Sequence, residues 1–177
     1  MLTLITTPAV LPVSLAEVKA FARLQEDEDA VVAGLTRTAV EWVEQRLGRA
    51  LVTQVWEYTI DAFPCGYRPA IHIPLGPIQS IDEVRYLDTS GTQQTLAAPS
   101  YLLADGWLWP AYGITWPTTR AQAGGVVVRA TVGYSDSWND VPEPIRAAIA
   151  ESVRGLYDGC KPSQVDELLQ PYRVWAY

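Results

Sequence analysis

Apolar residues recur along this chain with two periods, three to four near both ends and two in between. Ser14-Leu15-Ala16-Glu17 has the form of a capping box, in which hydroxyl and carboxylate each satisfy a free N–H of a helix start. Val13 and Val18 flank it at the spacing of a hydrophobic staple, and the helix is expected to run to about Leu24. Glu26-Asp27-Glu28-Asp29 lacks the spaced ligands and glycine of a calcium loop. It is read as the first turn of a second helix, where carboxylates meet the positive end of the dipole. Val32, Leu35, Ala39, Trp42, Val43 and Leu47 then form an apolar stripe, and Gly48 supplies the C′ residue.

From Leu51 the period is two. Val52, Trp56, Tyr58 and Ile60 are expected on one strand face, with Thr53, Glu57, Thr59 and Asp61 on the other. Prolines and a glycine make a loop of residues 64–69, and Ile71-His72-Ile73-Pro74 reads as a short edge strand. Ile78 to Leu87 is a longer strand turning at Asp88–Thr92 into Gln93–Leu96. Tyr101-Leu102-Leu103 and Trp107-Leu108-Trp109 flank a tight turn, and Val126 to Val132 is a buried strand. A third helix starts near Pro142 with Asp140 as its cap and packs through Ile145, Ala148, Ile149, Ser152, Val153 and Leu156 to Gly159. Ser163-Gln164-Val165-Asp166 is a second capping-box candidate, opening a short helix that Pro171 stops.

These elements predict an α+β fold. A mainly helical body, made of two N-terminal helices and the C-terminal helices, carries an inserted antiparallel β-meander. One domain is expected over 1–177, with helices at about 14–47 and 142–169, the β-region at about 51–134 and a tail at 171–177.

Apolar residues make up 49% and charged ones 19%, a globular composition with no low-complexity tract. The net charge of −7 speaks against autonomous nucleic-acid binding, which calls for a basic surface. Cys65 and Cys160 lie far apart with no metal-ligand spacing and are expected as free thiols in a reducing compartment. No apolar run has the ~20 residues of a membrane helix, and the N-terminus lacks a secretory signal. A soluble protein, intracellular where it is made, is expected.

Candidate chemistry is sparse. His72 is the only histidine, so any triad or multi-histidine metal site would hang on one strand residue flanked by isoleucines. Asp136 and Asp140 are a possible acid–base pair but sit in a Ser/Asn/Gly-rich loop, where turn chemistry is the ordinary role. There is no phosphate loop, nucleophile elbow or zinc helix motif. No catalytic, cofactor-binding or metal-ligating residue is assigned, and no enzymatic activity is expected. Seven Trp and nine Tyr stand out, with Trp107, Trp109, Tyr112 and Trp116 clustered. They are read as core and protein interface. The alternative is a stacking platform in a tail-associated glycan- or receptor-binding module built on the Trp107–Trp116 region.

Five stretches carry a family resemblance. They are Pro12-Val13-Ser14-Leu15-Ala16-Glu17-Val18-Lys19; Gly48 through Trp56; Ile73 through Ile81 with Tyr86-Leu87-Asp88; Val141 through Ile149; and Leu168-Leu169-Gln170-Pro171-Tyr172-Arg173-Val174. In this order the chain resembles the head–tail connector (adaptor) proteins of tailed phages, also found in gene transfer agents. The resemblance implies a ring of twelve subunits on the portal protein, continuing the DNA channel toward a downstream tail or stopper protein. DNA would pass without tight binding. It also implies a place at the head–tail interface of a virion made in the bacterial cytoplasm, with no cofactor and no membrane contact. The tail would reach the portal through Tyr172, Arg173, Val174, Trp175 and Tyr177. A short segment rich in interface residue types after a helix-stopping proline suits such docking.

Overall fold

The computed structural model describes residues 1–23, 29–66, 69–160 and 165–173. The chain divides into two compact units, Met1–Thr7 with Gln54–Gly133 and Pro8–Thr53 with Tyr134–Tyr177. Each has its own buried cluster.

The second unit holds the helices: α1 (Leu15–Ala22), α2 (Asp29–Leu47), α3 (Glu143–Asp158) and α4 (Val165–Leu169). Ser14 caps α1, its hydroxyl accepting the Glu17 N–H at 3.1 Å. The Glu17 carboxylate does not complete the box; it takes the Arg146 guanidinium of α3 at 3.0 and 3.2 Å. A charge-assisted pair outbids a bond to one backbone N–H. The residues from Leu24 to Glu28 lie outside the described set, with most of the acidic stretch, and so do Ser163 and Gln164.

On α2 the buried side is Val32, Thr36, Ala39, Val40, Val43 and Leu47. Trp42, expected in this stripe, is 39% exposed, with the Arg46 guanidinium 5.3 Å from its ring centroid. Each residue turns the helix by about 100°, which carries Trp42 off the face that Val43 occupies. Thr36 is buried there instead, its hydroxyl satisfied by the Val32 carbonyl at 2.7 Å. Gly48 ends the helix with φ +64°.

Along α3, Ile145, Ala148, Ile149, Ser152 and Val153 are buried at the predicted spacing, but Leu156 is exposed and Gly155 is buried. Asp140 does not cap this helix; its carboxylate accepts the Ser135 hydroxyl, and Pro142 stands at the cap position. Gly34, in the middle of α2, has nothing within 4 Å of where a Cβ would stand. Gly34→Ala is therefore expected to stabilise the chain by about 1 kcal/mol, the helix-propensity difference, and a lowered urea midpoint would contradict it.

The first unit is built from strands, with a 3-10 turn at Ala98–Ser100. Five strands form one sheet in the order β1-β2-β8-β4-β5: β1 (Leu2–Thr6), β2 (Gln54–Ile60), β4 (Ile78–Leu87), β5 (Gln93–Thr95) and β8 (Val126–Val132). Three short ones, β3 (Ile71–His72), β6 (Tyr101–Ala104) and β7 (Trp107–Pro110), form a second sheet ordered β3-β7-β6. All these ladders are antiparallel.

This corrects the expected fold class. Of the described residues 35% are helical and 28% are in strands, so the chain is not a mainly helical body with an insert. Nor is the large sheet a meander, because β8 lies at its centre between β2 and β4. β8 is the most buried strand of this sheet, with Val126, Val128, Ala130 and Val132 all buried, and a central place gives it two ladders and a covered face. The N-terminal strand was not anticipated. Leu2 pairs with Tyr58 and Leu4 with Trp56, and the terminal ammonium donates to the Thr59 carbonyl at 2.7 Å. Leu108 and Ile71 of the small sheet share a buried cluster with Val84, Val126 and Val128 of the large one.

Candidate functional site

The tail residues separate into two groups. Tyr172 ends a 3-10 turn over Gln170–Tyr172 and packs against the helical cluster. Its carbonyl accepts the Arg49 Nε–H at 2.6 Å. Tyr134, close to Arg49 and Tyr172, has its phenol pKa raised chiefly by burial, so it stays protonated at neutral pH. Arg173 follows and is exposed. Val174, Trp175 and Tyr177 lie outside the described residues. α4 is clamped just before this segment by Arg46, whose Nη2 donates to Asp166 at 2.6 Å while Nε donates to the other oxygen. The Asp166 carboxyl is held below its usual range by that guanidinium.

The aromatic cluster also divides. Trp116 is stacked on Phe63 at 4.9 Å with planes 7° apart, and its indole N–H donates to the Pro69 carbonyl. Tyr86 meets the same Phe63 edge-on at 5.6 Å. Trp116 is thus partly buried against the strand unit's core. Trp107 and Trp109 sit on β7 with side chains on the face opposite Leu108. There Trp107 pairs with Ala104 of β6 and His72 of β3, and Trp109 with Leu102. The His72 ring is 4.6 Å from that of Trp107, which gives the lone histidine a packing contact. Asp105 (φ +50°) and Gly106 (φ +80°) form the turn between β6 and β7, with the paired positive φ of a two-residue hairpin.

Beside Trp116 lies a cavity of about 400 Å³ lined by Phe63, Pro64, Cys65, Pro69, Pro110 and Ile114 together with three threonines. Among the described residues of its walls, Cys65 carries the titratable side chain. Asp136 and Asp140 remain in the loop before α3, Asp140 bound to Ser135. The best-held carboxylate is Asp88, whose pKa falls to about 2. The Ser90 hydroxyl, the Gln94 amide and the Thr92 N–H hold it. It is a turn anchor that stays ionised, unsuited to proton transfer near neutral pH. No cluster of three or more His, Cys, Asp or Glu able to hold a metal occurs among the described residues.

Cations are largely spoken for within each unit. Glu57 of β2 bridges Arg129 of β8, at 2.6 and 3.0 Å, and Arg85 of β4. Arg129 has its pKa raised by that hydrogen bonding. Lys19 pairs with Asp29, Arg146 with Glu17 and Arg154 with Asp158. The paired arginines therefore carry little net field for phosphates to follow. No helix among the described residues is long and apolar enough to cross a membrane.

No protein-family model and no curated protein matches the chain. Solved structures do. The fold is similar to a chain from the neck of an empty gene transfer agent (GTA) particle computed with C6 symmetry, at TM-score 0.81 and 22% identity. A chain from the virion of a native GTA particle gives the same values. One from the neck of a native GTA particle computed with C12 symmetry gives TM-score 0.77 at 22% identity. Each likeness covers 100% of this chain and 97% of the other. End-to-end coverage at that TM-score means both units and their connections are shared, which establishes the fold.

Proposed function

We propose that this protein is a structural subunit of the neck of a phage-like particle, a head–tail adaptor that forms a ring around the DNA path. The observation that carries this reading is the whole-chain likeness to chains from GTA necks and virions, with neither unit left unmatched. The resemblance of Pro12–Lys19, Gly48–Trp56 and Val141–Ile149 to adaptor proteins supports the finer role. The C6 and C12 symmetry of the neck structures supports a cyclic assembly, which heterologous contacts between identical subunits would close. The acidic balance and the paired arginines suit a conduit that lets DNA pass without gripping it.

In this reading the segment after α4 is the portal-docking element, and the work of Tyr172 differs from that of the residues beyond it. Tyr172 belongs to the helical cluster. Docking is assigned to Arg173, Val174, Trp175 and Tyr177, residue types that dominate interface energies.

A chain ending after Tyr172 separates the two parts, because it keeps Tyr172 and its bond from Arg49. It is expected to melt with the full-length protein but to enter particles at least about ten-fold less, since losses repeat around a ring. The measurement is the amount of tagged chain in purified particles, with full-length chain as reference. Normal incorporation of the truncated chain would refute the docking segment, and absence of the full-length chain from particles would refute the neck role itself.

A further inference from the structure

Residues 93–119 contain a single charged side chain, Asp105, in a protein of net charge −7. The stretch spans β5, β6, β7 and the loop after β7. It is not all interior. Leu102 is 60% exposed and Trp107 37%, Ile114 is exposed, and Tyr112 is fully so. Leu102, Ala104, Trp107 and Trp109 share the outer face of the small sheet, opposite the buried Leu108 and Ile71. Tyr112 rides on a turn tied at both ends, by Ala111 N–H to Ser100 O and Ile114 N–H to Ala111 O, each 2.9 Å. A large aromatic side chain on a pinned turn loses little freedom when covered.

We infer that this charge-poor face, with Tyr112 as its projecting anchor, is the surface through which one copy of the chain meets the next. The inference rests on the ring reading above and names the contact that builds the ring. Charge selects the occupant. Copies of net charge −7 repel, and they approach at least cost where a surface carries almost none. A nucleic acid or a strongly charged protein finds no ionic partner here beyond Asp105. Exposed Trp, Tyr and Leu with charges excluded is the composition of an interface core. Because a ring contact is heterologous, this face meets a different face of the neighbour, not itself.

The test places the photoreactive benzoylphenylalanine at Tyr112 in the full chain, in cells that make the particle. Tyr112 is fully exposed, so the exchange leaves the fold undisturbed. Irradiated particles are expected to yield a covalent species at twice the 19.5 kDa chain mass, containing this chain alone. Its cross-linked peptides should map to a face other than residues 93–119. Cross-links to another particle protein, to a glycan-bearing component, or to nothing in particles that contain the chain would overturn the inference and leave the neck role standing. A full-length chain absent from particles would overturn both. As a second measurement, Leu102→Glu is expected to keep the melting temperature within a few degrees while incorporation falls at least about ten-fold. Wild-type incorporation of that variant would also sink the inference.

Discussion

Replacing Leu108 with alanine is expected to destabilise the strand unit by about 4 kcal/mol, a large share of what a domain of this size commands. Leu108 is fully buried on β7, the middle strand of the small sheet, flanked on its inner face by Leu103 and Ile71. It belongs to the cluster with Val84, Val126 and Val128, so it is where the two sheets share a core. Truncation removes three buried carbons and leaves a hole whose walls are strands held by their ladders and little able to collapse. Urea unfolding followed by tryptophan fluorescence reads the loss. A change under about 1 kcal/mol would mean that the small sheet contributes little to this core.

Gly125→Ala is the second large effect, expected at about 3 kcal/mol through overpacking. A Cβ on Gly125 would stand 2.5 Å from the Asp61 carbonyl oxygen and within 3.5 Å of the Gln122 and Arg120 carbonyls. These are backbone atoms, so no side chain can swing aside. The surroundings are pinned as well: Gly124 N–H donates to the Asp61 carboxylate at 3.0 Å, and Gly125 O accepts the Leu87 N–H at 2.9 Å. Relief would require pulling the entry of β8 away from the end of β2. Chemical denaturation of the variant checks this, and hydrogen exchange at Leu87 is expected to speed up with it. Unchanged stability would show that the Asp61 turn yields easily.

The strands these substitutions probe were legible one at a time. Alternation marked β2, the turn at Asp88–Thr92 marked the end of β4, the run Val126–Val132 marked β8, and Asp105-Gly106 marked its hairpin, because period and turn chemistry are written in neighbouring residues. The Ser14 cap, the Gly48 stop and most of the α3 stripe were legible for the same local reason.

What stayed hidden involves partners distant along the chain. β8 takes the centre of a sheet whose other strands all precede it, and Leu2–Thr6 finds its partner some fifty residues on. Glu17 turns from its own helix start to Arg146, and Asp140 from a cap to Ser135, because each carboxylate goes to the best donor the folded chain brings near. Trp42 and Trp116 look alike in sequence, yet one lies half-exposed under an arginine and the other is stacked on Phe63. Hydrophobicity ranks a residue for burial. Which face is covered, and by what, depends on packing among segments that no local window contains.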